Sequence, residues 1–213
     1  GNAFPFAKWT CYDNGLQNAL IASWPGKIKP DQGSDAMIEY VDVVPTFVSA
    51  AGGKPARVLD GKSYLPVLLG QAKEHKKHVY ALHTTRGIIN GNDFFGIRSI
   101  RGEKYKLILN LTPEVRFQNA CTKNKVFKSW EEKAKTDADA ADKVRRYRHH
   151  PGVELFDLSN DPLEWKNLAA DPKNKTIIEE HAAHLPKKQH PVLPGSSTGH
   201  KAYGAANANI KKN

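Results

Sequence analysis

An alternating run of apolar and polar residues, IRSIRGEKYKLILNL at 97–111, limits the folds open to this chain. Side chains of a β-strand point alternately to its two faces, so the second half of the run gathers its apolar residues on one face. Those residues are Tyr105, Leu107, Leu109 and Leu111. Only Gly102 and Glu103 separate the two halves, which predicts two neighbouring antiparallel strands joined by a tight turn.

Other segments predict further strands and three helices. Strands are expected in HVYALHTT, FFGIRSIR and VELFDL, and a buried strand in the apolar run ALIASW at 19–24. VDVVPTFVSAAGG predicts a helix that Asp42 caps and Gly52 ends, because Asp favours N-caps and Gly favours left-handed C-terminal positions. Apolar residues recur at helical spacing over 129–147, and a last helix is expected over about 174–185.

Length and composition are those of a globular chain with a core of its own. The 213 residues are 39% hydrophobic, and no apolar stretch reaches the roughly 18 residues of a membrane span. The chain begins at Gly1 without an initiator methionine or a secretory signal, so we expect its true beginning to lie upstream. Residues 186–213 are rich in small and polar residues and predict an irregular tail.

The net charge is strongly positive and unevenly distributed. Of the total of +10, residues 101–150 contribute +6, from 13 Lys and Arg against 7 Asp and Glu. A basic field of this size attracts anions. Composition therefore leaves nucleic acid, anionic lipid and a sulfated or phosphorylated substrate open as partners.

No self-contained catalytic motif is present. The sequence lacks a phosphate-binding Gly-rich loop, an HExxH, a paired-cysteine zinc site and a G-x-S-x-G elbow. Cys11 and Cys121 stand in no metal or redox spacing and predict two ordinary half-buried thiols, with a single disulfide between them left open. The residues alone thus indicate a basic α/β chain with a mostly antiparallel second half.

Six phrases, taken in their order, resemble one family. They are FPFAKWTCYDNG, LIASWPGKI, SDAMIEYVDVVPTFVSAAG, LDGKSYLPVLLG, IRSIRGEKYKLILNL and ELFDLSNDPLEWKNLAADP. Over about residues 1–185 they resemble the C-terminal landmarks of the formylglycine-dependent sulfatases. The later phrases are most similar to the heparan N-sulfatase (sulfamidase) type and to bacterial arylsulfatase-like relatives.

This resemblance implies an α/β fold in three parts. Residues 1–77 would form the end of an alkaline-phosphatase-like sulfatase domain. Residues 78–185 would form an α+β C-terminal subdomain with a small antiparallel sheet and a helical insert at 129–148. The irregular tail at 186–213 would follow.

The resemblance also implies that Lys8 contacts the sulfate group of a substrate. Lys8, Thr10, Tyr12, Asp13 and Gly15 match the family pattern K-x-T-x-Y-[DE]-x-G. An ammonium on a flexible stem is a good donor to a tetrahedral oxyanion and stabilises charge that develops as the bond to sulfur breaks. An ordinary surface lysine is the alternative interpretation of Lys8.

Three further basic side chains are candidate substrate contacts. ALHTTRG places His83 and Arg86 where a predicted strand ends, a position from which loops often bind ligands, although a structural turn is an equal alternative. Arg98 and its basic neighbours in IRSIRGEKYK are mostly expected on a solvated strand face, while one arginine could pair with a substrate carboxylate or sulfate.

The catalytic centre that the resemblance implies is missing from these residues. The family's formylglycine derives from the first residue of Cys/Ser-x-Pro-x-Arg, a sequence that neither Cys11, Cys121 nor any serine completes. Four acidic residues in ELFDLSNDPLEWKNLA are interpreted as structural, because calcium loops need denser oxygen ligands. The resemblance implies calcium, but we expect its ligands upstream of Gly1 and assign no metal ligand to this chain.

The expected function is therefore that of a C-terminal sulfatase portion, hydrolysing sulfate esters or the N-sulfate of a carbohydrate or aryl sulfate. Its expected partner is the missing N-terminal part of the same enzyme, and the resemblance implies a periplasmic, secreted or lysosome-like location. A basic polyanion-binding module and another alkaline-phosphatase-like hydrolase, such as a phosphodiesterase, are the alternatives. Interleaved acids and the lack of an aromatic stacking motif argue against nucleic acid, and no membrane partner is expected.

Overall fold

The structure, a computed structural model, describes residues 3–185, which form two compact units. The first unit combines residues 3–18 with 80–185, and the second is Ala19–Val79. These units differ from the expected domains, because residues 3–18 pack with the later part of the chain. The expected domain limits at 77 and 185 stay a prediction, and the irregular tail lies outside the described residues.

The described residues contain six α-helices, three 3₁₀ helices and four strands. The α-helices are α1 (Asp13–Leu16), α2 (Val43–Ala50), α3 (Leu65–Leu68), α4 (Lys125–Lys133), α5 (Ala138–Arg148) and α6 (Lys175–His184). The strands are β1 (Val79–Thr84), β2 (Gly96–Arg101), β3 (Tyr105–Asn110) and β4 (Val153–Asp157). The 3₁₀ helices are Tyr40–Asp42, Ala120–Lys123 and Pro172–Asn174. None of the described helices has the length and hydrophobicity needed to cross a membrane.

The four strands form one sheet in the order β1-β2-β3-β4, which confirms the expected small antiparallel sheet. β3 pairs antiparallel with both neighbours, so that Leu107 lies opposite Ile100 of β2 and Leu155 of β4. The predicted tight turn is present, and the Gly102 N–H donates to the Tyr105 carbonyl oxygen at 2.9 Å. The alternating run at 97–111 is therefore a hairpin at the centre of the sheet.

Both faces of the strands β2, β3 and β4 are covered, each by different elements, while Tyr80 and Leu82 of β1 are exposed. On the first face, residues 3–18 and helices α4 and α5 pack in a cluster that includes Tyr12 and Ile108. On the second face, Leu107 packs with Ile178 of α6. Full burial of such apolar side chains contributes about 1.5–3 kcal/mol each. The first face therefore ties the start of the chain to a sheet that lies about 100 residues later in the sequence.

The second unit is organised around the buried carboxylate of Asp42. It accepts the N–H groups of Glu39 and Lys62, both at 2.9 Å, and lies 2.9 Å from the ammonium of Lys76. Asp42 is the N-cap residue of α2, as expected, but its side chain makes no cap hydrogen bond to the helix because those partners occupy its oxygens. The predicted helix itself is confirmed, with Gly52 in the left-handed conformation after its end.

Two predicted elements are wrong. Residues 19–24 form no strand, and Ile21 is 94% exposed, because no described strand lies beside this run to pair with it. The helix expected over 129–147 is two helices, α4 and α5. Asp137 is the N-cap of α5, and its carboxylate accepts the Ala140 N–H at 2.9 Å. Because this side-chain hydrogen bond holds Asp137 in an extended conformation, α4 does not continue into α5.

Candidate functional site

Two residues of the sulfatase pattern, Thr10 and Gly15, contact the same backbone carbonyl group, that of Ala7. Thr10 is buried, and its hydroxyl donates to the Ala7 carbonyl oxygen at 2.6 Å. Gly15 lies against the same group, since a Cβ at this position would stand 2.3 Å from that oxygen. Only glycine permits so close a backbone approach. Together these contacts give the segment a compact, defined shape.

Tyr12 joins the segment to a buried polar group on the first face of the sheet. Its hydroxyl donates to Glu154 Oε2 at 2.8 Å and lies 3.1 Å from His150 Nδ1. The Asn110 amide donates to the other Glu154 oxygen at 2.8 Å. Burial, reinforced by the Glu154 carboxylate, raises the pKa of Tyr12 well above its usual value. The hydroxyl therefore stays protonated and acts as a donor.

Asp13 belongs to a buried charge cluster. The fully buried ammonium of Lys106 lies 2.7 Å from Asp13 Oδ1 and 2.8 Å from Glu164 Oε1. Arg101 Nε lies 3.0 Å from Asp13 Oδ2, and the Asp13 N–H donates to Glu164 Oε2 at 2.6 Å. Burial raises the pKa of Asp13, but Lys106 and Arg101 outweigh it and hold that pKa below its usual value. Burial raises the pKa of Glu164.

Lys8 is the exposed member of the pattern. Its Nζ lies 4.7 Å from the centre of the Trp9 ring. Phe6 and Trp9, which flank it, have left-handed backbone angles of φ 59° and 65°, a conformation that bulky residues rarely adopt. Because the neighbouring pattern residues are anchored, the Lys8 ammonium extends into solvent from a fixed base.

His83 faces the same side of the sheet as residues 3–18. Its strand neighbour Ala81, two residues earlier, packs against the first-face cluster, and side chains two apart share a face. His83 Nε2 is buried and has no hydrogen-bond partner among the described residues. Burial lowers the pKa of His83 to about 4, so its ring is neutral at pH 7. The unpaired nitrogen could bond to a ligand.

The two arginines lie in different places. Arg86 is exposed in the turn that follows β1, three residues after His83. Strand alternation places Arg98 on the second face with Ile100, and its guanidinium donates to the Ile97 carbonyl oxygen at 2.8 Å. The structure therefore brings His83 to the face that holds the Lys8 segment and places Arg98 on the other face.

The described residues offer neither a metal centre nor a reactive thiol. Within 3–185, no group of three or more His, Cys, Asp or Glu side chains could hold a metal ion. Cys11 and Cys121 are buried and free, so no disulfide joins them. Burial raises the pKa of Cys11 to about 11, and it also raises the pKa of Cys121. Both thiols stay protonated and contribute to packing.

Sequence reasoning missed the roles of Lys106 and Glu164. Lys106 was expected on a solvated strand face, and this is wrong because residues 3–18 cover that face. One signal was present in the sequence: Ile108 shares the face of Lys106, while leucines fill the opposite face of the same strand. A lysine in a strand with apolar residues on both faces predicts a buried ion pair.

Comparisons with known proteins agree with this geometry. The family model described as N-sulphoglucosamine sulphohydrolase, C-terminal, matches residues 1–119. An ulvan-active sulfatase from Formosa agariphila is 40% identical over 174 residues, which are 81% of this chain and 33% of that protein. Arylsulfatase A from Bos taurus is 28% identical over 166 residues, or 76% of this chain and 28% of that protein. The chain thus spans about a third of the length of these relatives.

A solved structure, described as a complex with its substrate D-glucosamine-2-N,6-O-disulfate, shares the fold. Its TM-score is 0.50 at 19% identity, over 78% of this chain and 29% of that one. The expected fold class, the end of an alkaline-phosphatase-like sulfatase domain followed by an α+β subdomain, is confirmed. This is a sulfatase fold. The chain belongs to the N-sulphoglucosamine sulphohydrolase C-terminal family.

Proposed function

We propose that this chain forms the C-terminal portion of a sulfatase and that Lys8 binds the sulfate group of its substrate. One observation carries the proposal: Lys8 is exposed, while Thr10, Tyr12 and Asp13 of the same pattern are anchored in the first unit. The family match over residues 1–119 supports the sulfatase class.

Lys8 would act by electrostatic stabilisation. Its ammonium would bind a sulfate oxygen and stabilise the negative charge that grows as the bond from sulfur to oxygen or nitrogen breaks. Because Tyr12 and Asp13 hold the backbone beside it, little loop ordering is needed when the substrate binds. Less of the binding free energy would therefore be lost in ordering the segment, and more of it would be available to stabilise the transition state.

His83 and Arg86 would contact the same substrate from the end of β1. The neutral His83 ring has a buried nitrogen without a partner, and Arg86 extends into solvent close by in sequence. An arginine pairs well with a sulfate or carboxylate. Arg98 stays a prediction, because a role in binding would require the substrate to reach the second face of the sheet.

The nucleophile and the metal of the proposed reaction would come from outside this chain. The described residues do not fit a metal ion, and no Cys/Ser-x-Pro-x-Arg sequence occurs in the 213 residues. We propose that the N-terminal part of the same enzyme, upstream of Gly1, supplies formylglycine and calcium. The residues of this chain would contribute charge stabilisation and substrate binding.

A sulfated polysaccharide is the substrate class that we propose. The relative from Formosa agariphila is ulvan-active, and the solved structure with the shared fold holds a disulfated glucosamine. The basic excess at 101–150 would attract such a polyanion. Either a sulfate ester or an N-sulfate is compatible with Lys8, and a periplasmic, secreted or lysosome-like location stays part of the proposal.

A chimera tests the role of Lys8. In it, this chain replaces the aligned 174 residues of the Formosa agariphila sulfatase, and kcat/KM is measured on ulvan oligosaccharides. Lys8→Ala is expected to lower kcat/KM by about 100-fold or more, the loss typical for one donor to a developing oxyanion. Lys123→Ala removes another exposed lysine and should leave kcat/KM unchanged. Equal activity of both variants would contradict the proposal.

A basic module that only binds polyanions has less support. Several cations at the end of α4 and in the turn that follows it are paired with carboxylates, such as Lys135 with Glu132 at 2.5 Å and Lys133 with Asp137 at 3.4 Å. These pairs are neutral, so the positive excess comes from other cations, and it would serve a sulfated substrate of an enzyme as well as a binding module. The family match also favours the sulfatase proposal.

A further inference from the structure

A cavity of about 310 Å³ lies beside helices α4 and α5 and contains none of the residues proposed to bind the sulfate. Its principal lining residues are Trp130, Lys133, Asp137, Asp139, Lys143 and Trp165. All of them belong to the first unit. The volume is at the lower end of the range for small-molecule sites, which is large enough for one ring-sized ligand.

Two indole rings form the apolar part of this cavity. Trp165 is 39% exposed, although Phe6 packs against it with ring centres 5.4 Å apart and Arg146 lies 4.9 Å from its centre. Trp130 is half-buried and rests on Phe127 at a ring distance of 6.2 Å. Each indole is therefore supported from behind and still presents surface to the cavity. Supported, rigid aromatic rings bind ligands at low entropic cost.

Four charged side chains surround these rings as two balanced pairs. Lys133 lies 3.4 Å from Asp137, and Lys143 pairs with Asp139 along α5. The Lys143 ammonium also lies 5.9 Å from the centre of the Trp165 ring. Exposed pairs of this kind stabilise a fold little, so their donors and acceptors can exchange partners with a ligand. The lining combines apolar rings, donors and acceptors without a net charge.

We propose that this cavity binds one sugar ring of a saccharide chain, through contacts separate from the sulfate site. A pyranose has apolar C–H faces and a rim of hydroxyl groups. The indoles of Trp130 and Trp165 match those faces, while carboxylates accept from the hydroxyls and ammonium groups donate to them. The choice of a saccharide rests on the proposed function.

The charge balance decides against an anion in this cavity. A site for sulfate would present an excess of cations, but each lysine here has a carboxylate at its side. The ring bound here would therefore be held by its carbon faces and hydroxyl groups. Removing the sulfate groups from the saccharide should leave this contact intact.

Calorimetric titration of the 213-residue chain tests the site. The probes are ulvan oligosaccharides and glucosamine-based heparin oligosaccharides, each in native and chemically desulfated form. At least one desulfated probe should bind, and Trp165→Ala should weaken that binding by about 10-fold or more, the effect of one lost aromatic contact of 1–3 kcal/mol. Trp24→Ala, in the second unit, should bind as the unchanged chain does.

A surface variant guards against a folding artefact. Asp139→Asn removes one acceptor charge from an exposed position of α5, so it should weaken binding without lowering the thermal midpoint. Absence of binding by every desulfated probe up to about 10 mM would overturn the proposal, as would unchanged affinity in both Trp165→Ala and Asp139→Asn. Competition by inorganic sulfate would show an anion site instead and would also overturn it.

The sulfate site and the sugar site can fail separately. The titration measures binding without turnover, and Lys8→Ala should leave the affinity for desulfated probes unchanged. If the chimera loses activity with Lys8→Ala while no desulfated probe binds, the proposed function stands and this inference falls. If the probes bind and Lys8→Ala keeps full activity, the role of Lys8 falls instead.

Discussion

At the scale of single residues, the pattern K-x-T-x-Y-[DE]-x-G separates into anchors and one free charge. Thr10 and Gly15 fix the turn on Ala7, and Tyr12 reaches across 142 residues to Glu154. Lys8 alone among the pattern residues extends into solvent. Most of the pattern therefore fixes the backbone beside Lys8, and the Lys8 ammonium is the one group of the pattern that we propose to contact the substrate.

Gly15→Ala tests how tightly that shape is built. The added Cβ would meet the Ala7 carbonyl oxygen at 2.3 Å, so the segment must shift, and we expect a loss of about 1–3 kcal/mol in the free energy of unfolding. Gly152→Ala is the matched control in the same unit, because its Cβ would meet only Pro113 at 3.5 Å. Urea unfolding measures both variants. An equal loss in the two would contradict the tight packing at Gly15.

At the scale of elements, β3 joins the two cores of the first unit. Its leucines pack toward α6 on the second face, while Lys106 and Ile108 point toward residues 3–18 on the first. Lys106 is the residue through which β3 holds α1, because its ammonium binds the first residue of that helix, Asp13. The sheet and the start of the chain are thus connected by charge as well as by apolar packing.

Lys106→Met tests this connection. It leaves the buried Glu164 without a cation and Asp13 with Arg101 alone, so we expect a loss of about 3–5 kcal/mol in the free energy of unfolding, measured by urea unfolding. Lys104→Met removes an exposed lysine two residues away and should leave the free energy of unfolding nearly unchanged.

Adding Glu164→Gln to Lys106→Met should restore much of the stability, because the unpaired buried charge is then gone while Asp13 keeps its pair with Arg101. A Lys106→Met variant as stable as Lys104→Met would show that the cluster contributes nothing to folding. Failure of the double variant Lys106→Met with Glu164→Gln to recover would place the loss in packing around Lys106 and contradict the electrostatic explanation.

At the scale of the whole molecule, we propose that the chain contributes substrate contacts while the reacting groups come from elsewhere in the enzyme. The described residues include no metal-binding group, and the full sequence has no formylglycine motif. The first unit provides the Lys8 segment and the cavity beside α5, and the family match over residues 1–119 shows that the chain belongs to a sulfatase family. The activity we propose therefore depends on residues of another part of the enzyme.

The purified 213-residue chain should not hydrolyse a chromogenic aryl sulfate, with or without added calcium. The reason is that Lys8 can stabilise charge but cannot attack sulfur in the absence of an activated nucleophile. Release of the chromophore is followed by absorbance, with the active chimera as positive control. Turnover by the chain alone would disprove the division of the active site that we propose.

The sequence by itself determined the four strands and the tight hairpin of β2 and β3, because alternation, tight turns and helix-ending glycines are local properties of a few neighbouring residues. Only the resemblance to the sulfatases, through a pattern of eight residues, singled out Lys8. The two expected elements that were wrong, the strand at 19–24 and the unbroken helix at 129–147, failed where pairing or capping overrode local composition.

Only the tertiary structure decided which charged residues are buried. Asp13 and Glu164 stand 151 residues apart in the sequence and both contact the ammonium of Lys106. The Asp42 carboxylate accepts hydrogen bonds from the N–H groups of Lys62 and Glu39 and makes none to its own helix. The cavity between Trp130 and Trp165 likewise joins residues from separate elements. Contacts of this kind depend on where distant segments meet, and the free energy of burying a charge depends on the partner found there.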